Sequence, residues 1–291
     1  MGRYGFIAAL AVVWTFSICG ISSAQNTAPD YEEVLARVFT ADQEIRLRID
    51  SLQKAGVADL QVLLPLYEEM AVTDETNRRI ALPILDLYLS GEADLSDDSL
   101  QALYYVIQHS DGDVQERYRG FVYDAFRSGI ISDLEYAWFA DRLSVRRNEA
   151  QIYGLQCYVN MNADPAHAFP YPIAKGVEKR WRKIGFSARE MKETLSEFVG
   201  EYAPVFLGRN EFALFGYAVG MRDGIEQGVC GVDVSVNGKM RYKTGRNGFY
   251  VILLDRDEVP SEVVFVHGGR RYEVPVTVSG DADWAIVDVW L

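Results

Sequence analysis

The chain is short of the residues from which most metal and redox chemistry is built. Its 291 residues include three histidines and three cysteines, which leaves little material for a zinc site. No HExxH pair, phosphate-binding glycine loop or nucleophile motif occurs, so no ready-made hydrolase or nucleotide-binding signature is present. Basic residues are scarce too, 29 Lys+Arg against 42 Asp+Glu, for a net charge of −13. Such a surface argues against nucleic acid as a partner, because phosphate binding depends on a positive field. What remains is an ordinary globular composition, 49% hydrophobic and 24% charged, with apolar mass for about two cores.

The one extended apolar run lies at the N-terminus and reads as a secretory signal. Arg3 gives a charged start, residues 6–21 are apolar, and Ser22-Ser23-Ala24 supplies small residues, with cleavage expected after Ala24. The run is short for a bilayer span of about 20 residues, which sets a retained membrane anchor behind the signal. Lipidation at Cys19 is weaker again, since Phe16-Ser17-Ile18 lacks the small residue such processing needs before the cysteine. The expectation is an exported, periplasmic or extracellular protein with no lipid anchor and no transmembrane span after cleavage. Without residues 1–24 the chain has 28 basic and 42 acidic residues, a net charge of −14. Cys157 and Cys230 then remain, either as a disulfide tying two halves together or as two buried thiols.

From Asp30 to about residue 205 the apolar spacing is helical, and from Val229 to Leu291 it alternates as strands do. The expected class is α+β, with an N-terminal all-α bundle of helical hairpins over 25–205 and a small antiparallel β-sandwich over 229–291. Asp30 caps a first helix carrying Val34, Leu35, Val38, Ile45, Ile49 and Leu52 on one side. Further helices are expected near 58–70, 74–89, 96–109, 113–128 and 132–146. Between the two parts, Gly216, Gly220, Gly224 and Gly228 recur every fourth residue. Residues 206–228 therefore read as a Gly-rich linker or packing segment, the membrane form of a small-residue helix face being interrupted by Arg222, Asp223 and Glu226.

In the last part Val232, Val234 and Val236 alternate with Asp233, Ser235 and Asn237, and Asn237-Gly238, Asn247-Gly248 and Gly268-Gly269 mark turns. Strands are expected near 230–236, 240–244, 249–254, 262–267, 270–278 and 285–290, with Pro275 confining its strand to an edge or a bulge. Through "VDVSVNGKMRYKTGRNGFYVILL" this segment resembles the transthyretin-like sandwich of carboxypeptidase regulatory-like modules, over roughly the final 60 residues. The resemblance implies a display, spacer or adhesion module making cell-surface or protein contacts, without chemistry of its own.

Chemistry is better sought in the helices. Asp42 shares a stripe with Val38, Ile45 and Ile49, and Asp141 shares one with Leu134, Trp138 and Val145. A buried unpaired charge costs several kcal/mol, so two inward acids need partners or a purpose. Arg46 and Arg142 stand beside them. Within "YYVIQHSDGDVQERY", Ser110 and Asp113 have capping-box spacing, His109 ends a helix, and Gln115 falls on a stripe with Tyr118 and Val122. Downstream, "QIYGLQ" sets Gln151, Tyr153 and Gln156 around Gly154.

Together the DQxxR, QHSDxxxQ, DR and QxYGxQ elements resemble an uncharacterised family of bacterial helical domains of unknown function, over about residues 31–195 including "VEKRWRKIGF". Besides residues already named, Gln43, Asp74, Asn77, Gln108 and Asp111 match it, and Leu155 departs from the threonine expected there. The resemblance implies a helical fold and a shared polar cluster, with no reaction, substrate or cofactor attached. The leading functional expectation is a small-ligand or peptide pocket lined by Gln43, Arg46, Gln115, Tyr118, Arg142, Gln151, Tyr153 and Gln156. One alternative is an extracytoplasmic hydrolase in which His109 exchanges protons, Asp42 or Asp141 orients it or acts as a second acid/base, and Arg46 or Arg142 holds an anionic group; a metal held by Asp42, His109 and Asp141 is a lesser form of it, and no metal or cofactor is expected. A second alternative is a structural or cell-surface interaction protein. The first two require the motif residues to converge on one cavity; residues scattered and satisfied by backbone groups defeat them.

Overall fold

The structure, a computed structural model, describes residues 30–57, 59–164, 168–187, 189 and 203–291. The expected signal sequence and cleavage point lie outside the described residues. The N-terminal part is helical and the C-terminal part is strand-rich and largely antiparallel, as an α+β chain requires. Among the described residues no helix is long and apolar enough to cross a membrane.

Helix α1 (Tyr31–Lys54) begins where Asp30 accepts the backbone N–H groups of Glu32 and Glu33, and it buries Leu35, Val38, Asp42, Ile45 and Ile49 on one face. Helix α2 (Leu60–Leu89) is continuous where two helices were expected, because residues 71–73 contain no glycine, proline or cap to interrupt it. Helix α3 (Asp97–Gln108) is capped by Ser96. The next segment divides into α4 (Gly112–Arg117) and α5 (Arg119–Arg127) at Tyr118. Asp111, not Ser110, caps α4 by accepting Val114 N–H at 3.0 Å; Ser110 instead donates its hydroxyl to Val106 C=O. Helix α6 (Asp133–Arg146) starts at a Ser132–Glu135 capping box. Leu35, Leu85, Leu103, Ile107 and Val122 form the core of these helices.

Helix α6 ends at Arg146, and the described residues beyond it are not continuously helical up to the expected residue 205. Residues after it form turns and the short strands β1 (Cys157–Tyr158), β2 (Phe169–Pro170) and β3 (Ile173–Ala174), then helix α7 (Val177–Lys183) and strand β4 (Phe206–Leu207), which pairs with β3. The break has a local cause: Gly154 takes a left-handed φ of 88°, and the buried Asp141 carboxylate collects the N–H groups around it.

Of the two readings of the Gly-rich segment, the linker fails; the segment packs, and as strands. It contains β5 (Glu211–Arg222), buried along most of its length, and β6 (Ile225–Gly228), its hairpin partner. Strands β7 (Asp233–Val236), β8 (Lys239–Lys243), β9 (Phe249–Asp255), β10 (Glu262–His267), β11 (Arg270–Pro275), β12 (Trp284–Ile286) and β13 (Val289–Trp290) follow. One sheet has the order β11-β10-β7-β8, with Pro275 at the end of its edge strand. In the other, β5 is the hub, antiparallel to β9 and β6 and parallel to β12 and β13. Leu214 and Ala218 of β5 and Ile252 of β9 meet Val234 and Phe265 of the first sheet in one core. The glycines serve close backbone approach: a side chain at Gly216 would overlap the Val287 carbonyl, and one at Gly228 the Asn247 carbonyl.

The two parts share structure across the expected boundary. Asp283 accepts Ala150 N–H at 2.6 Å, Tyr158 donates to Asp288 at 2.7 Å, and Phe169 packs in one cluster with Phe215, Tyr217 and Trp284. No disulfide joins them. Cys157 is half-buried and Cys230 exposed, both as free thiols, and burial pushes the Cys157 thiol up to about 11.

Gly216→Val is expected to destabilise the chain by at least about 2 kcal/mol in urea unfolding, through overpacking against Val287. Gly120→Ala, at an exposed position of α5 where nothing lies within 4 Å, is expected not to destabilise, and to stabilise by up to about 1 kcal/mol. Equal effects would show that β5 is not the tightly packed hub.

Candidate functional site

Helices α1, α2 and α3 bring five polar side chains to one place. Asp42 is 1% exposed, and every face of its carboxylate is engaged. His109 Nδ1 lies 2.9 Å from Oδ1, Arg46 Nη1 lies 3.1 Å from the same oxygen, and Gln43 donates its amide to Oδ2 at 2.7 Å. Arg46 then reaches Asp74 on α2 with two bonds of 2.9 and 3.0 Å. Asp42 therefore sits inside a relay of charge-assisted hydrogen bonds, the arrangement that makes a buried carboxylate tolerable.

The position of His109 follows from the chain. Its backbone closes α3, so the ring leaves the helix end and reaches back to α1. A carboxylate can only accept, so the ring nitrogen facing Asp42 carries a proton, and in a singly protonated ring the lone pair is on Nε2. Nε2 has no hydrogen bond among the described residues, and the side chain is 18% exposed. Tyr105, one turn earlier, places its ring 6.1 Å from the imidazole and donates its hydroxyl to Glu135.

Beside this pair the Gln108 carbonyl gathers two donors, Gln115 Nε2 at 2.8 Å and Arg142 Nη1 at 2.6 Å. Arg146 donates to the neighbouring Ser110 carbonyl at 3.0 Å. Burial, then the nearby Arg146 and Arg46 guanidinium groups, lower the Arg142 pKa. Among the described residues Arg142 has no carboxylate within ion-pair distance. The side-chain carbonyls of Gln108 and Gln115 are buried without a partner, so this corner holds unused acceptors next to an underused donor.

Asp141 is elsewhere in purpose. It is fully buried, and its two oxygens accept the backbone N–H groups of Ile152 (2.7 Å), Tyr153 (2.8 Å) and Leu155 (2.8 Å). Gln151 is likewise spent on backbone, donating to the Gln156 and Tyr171 carbonyls and accepting Gln156 N–H. Tyr153 lends its carbonyl to Trp181 of α7, and Arg180 bonds the Ile152 carbonyl. The QxYGxQ element is thus a scaffold around Gly154, whose absent side chain makes room for Ile173.

Of the expected residues, the structure assembles Asp42, Gln43, Arg46 and His109, and sets Gln115 and Arg142 around the carbonyl of the residue before His109. It does not bring Asp141 to His109, because Asp141 is consumed by the loop N–H groups of Ile152, Tyr153 and Leu155. Among the described residues no three His, Cys, Asp or Glu side chains form a metal-holding group, so Asp42, His109 and Asp141 do not make a metal site. Tyr118 points away, donating to Asp86 at 2.8 Å beneath the Arg117 guanidinium. Gln156 stands at the loop with an unpartnered amide nitrogen. The Gln108 carbonyl and Arg146 escaped the sequence reading; the spacing of Arg146 four residues after Arg142 was the available signal. Comparison with family models, curated proteins and solved structures finds no match to this chain.

Burial pushes the Asp141 carboxyl up to about 6, against the loop N–H groups that favour the anion. The native chain holds that proton where an unfolded carboxyl, near 3.9, has lost it, so the contribution to stability is full below about pH 4 and lost as pH rises through about 6. The stability of the wild type relative to Asp141→Asn, measured by urea unfolding across this range, is expected to fall with rising pH. A pH-independent difference contradicts the assignment.

Proposed function

We propose that the helical part binds a small ligand or peptide bearing an anionic group at the cluster formed by Asp42, Arg46, His109 and Arg142. The observation that carries this reading is the 2.9 Å contact of His109 with buried Asp42, which fixes the imidazole and leaves Nε2 unpartnered. Asp42 orients the ring, Arg46 holds Asp42 against Asp74, and Arg142 supplies a guanidinium that no carboxylate among the described residues neutralises. Guanidinium groups match carboxylate and phosphate in plane and spacing, so the anionic end of a ligand belongs at Arg142 and its polar end at His109.

The same Asp–His pair supports a second reading, acid–base catalysis of a hydrolysis. An imidazole oriented by a carboxylate through Nδ1 can take a proton at Nε2 and return it. Asp42 alone serves as its orienting acid in that reading, since Asp141 is committed to the loop.

The remaining expectations enter the proposal with their supports. The charged-then-apolar N-terminus with its small residues supports export to the periplasm or beyond. The DQxxR, QHSD and QxYGxQ elements support membership of the uncharacterised helical family, and the grouping of Asp42, Gln43, Arg46, Asp74 and His109 is consistent with its shared polar cluster. Two sheets facing one core support a small sandwich of the carboxypeptidase regulatory-like kind in the C-terminal part.

The test is to purify the full chain and identify retained small molecules by mass spectrometry, beside His109→Ala and Arg142→Ala. The wild type is expected to retain a species that each variant retains at least about tenfold less, with circular dichroism unchanged. Equal retention by the variants, or none by the wild type, contradicts binding at this cluster. Ester or peptide turnover by the wild type that His109→Ala abolishes would select the hydrolytic reading.

A further inference from the structure

A second group of cations stands where the core-facing rows of both sheets run out. On the β10–β11 hairpin the register pairs Phe265 with Tyr272 and His267 with Arg270. Phe265 and Tyr272 face the core between the sheets, and alternation by two places His267 and Arg270 next along that inner face. On β5, Phe212, Leu214 and Ala218 face the same core, and the same step of two continues to Gly220 and Arg222. Arg246 arrives from the turn between β8 and β9. At these positions a longer core would carry apolar side chains; here the rows become cationic.

A cleft of about 770 Å³ opens at this end of the sheets, lined by Arg222, Arg246, His267 and Arg270 together with Gln227 and Tyr272. Among the described residues no aspartate or glutamate side chain lines it, and Leu291 also stands at its wall. The chain carries 42 acids against 29 bases, so a cleft lined by arginines runs against its overall charge. Neighbouring cations on the same strands are paired: Arg241 with Glu258 at 3.5 Å, Arg271 with Glu273 at 2.7 Å, and Lys243 with Asp233. Among the described residues Arg222, Arg246 and Arg270 have no such partner.

We propose that this cleft binds a small organic anion carrying two or more phosphate or carboxylate groups. Three guanidinium groups from three separate turns supply forked donors that match those groups bidentately, while Gln227 and Tyr272 face the ligand body. The volume falls within the roughly 300–1,000 Å³ usual for small-molecule sites. A small anion fits better than a long one, because screening over about 10 Å lets it feel the local arginines and not the net negative charge that repels an extended polyanion. The turns at one end of a two-sheet layer are where such domains place their binding residues. This site is distinct from the Asp42–His109 cluster and does not depend on it.

The test is calorimetric titration of the full chain with inorganic pyrophosphate and, separately, with citrate, at ionic strength held constant with sodium chloride. Saturable binding of at least one probe is expected, weakened at least about tenfold by Arg222→Ala/Arg246→Ala/Arg270→Ala and measurably by Arg270→Gln alone. Arg127→Ala, exposed at the end of α5, is expected to bind as the wild type does. The four cleft cations are exposed, and circular dichroism confirms the fold of each variant. Stronger binding of pyrophosphate assigns phosphate as the recognised group, and stronger binding of citrate assigns carboxylate. No saturable binding by the wild type, or equal affinity in the triple variant, overturns the proposal; loss in Arg142→Ala with retention in the triple variant overturns it by moving the anion to the helical cluster.

Discussion

A carboxylate buried among helices has to be satisfied, and the organisation of the helical part depends on how Asp42 is. An isolated ion removed from water costs several kcal/mol, so α1 can turn Asp42 toward the core only if α2 and α3 deliver donors to it. Gln43 and Arg46 come from its own helix, and His109 comes from the end of α3. Asp74 on α2 then secures the far side of Arg46. Three helices are thus locked in register by one acid, and the imidazole is oriented as a consequence.

The second buried acid solves the same problem differently. Asp141 recruits backbone N–H groups of the loop after α6, fixing Gly154 against Ile173 and joining the helices to the strands beyond. One carboxylate therefore organises side chains at a surface, where chemistry is accessible, while the other organises backbone in the interior, where it is not. This difference separates a candidate site from a scaffold more sharply than burial does, since both acids are buried.

Much of this was legible in sequence. The stripes of α1 and α6 announced inward acids, and the Ser110–Asp113 spacing after a helix end announced a corner carrying His109, although Asp111 is the residue that caps it. Partners made of backbone were not legible, because side-chain periodicity says nothing about where a loop aims its N–H groups; Asp141 therefore looked catalytic. The glycines at 216, 220, 224 and 228 misled for a geometric reason. A spacing of four returns to one face of a helix, and it also returns to one face of a strand whose period is two. Only the close approach of Val287 and Asn247 backbone distinguishes the two, and that approach is made by residues far along the chain. The strands flanking local turns were placed to within about three residues, with 262–267 matching β10 and 270–278 overrunning β11.

The central claim is that Asp42 holds His109 with its Nδ1 protonated and its Nε2 free. Nitrogen-15 NMR of the imidazole in the full chain tests this directly, above the pH at which the ring is protonated. The account predicts the Nδ1–H tautomer, with Asp42→Asn shifting the population toward Nε2–H. A wild-type ring already in the Nε2–H form, or one unaffected by Asp42→Asn, would contradict it.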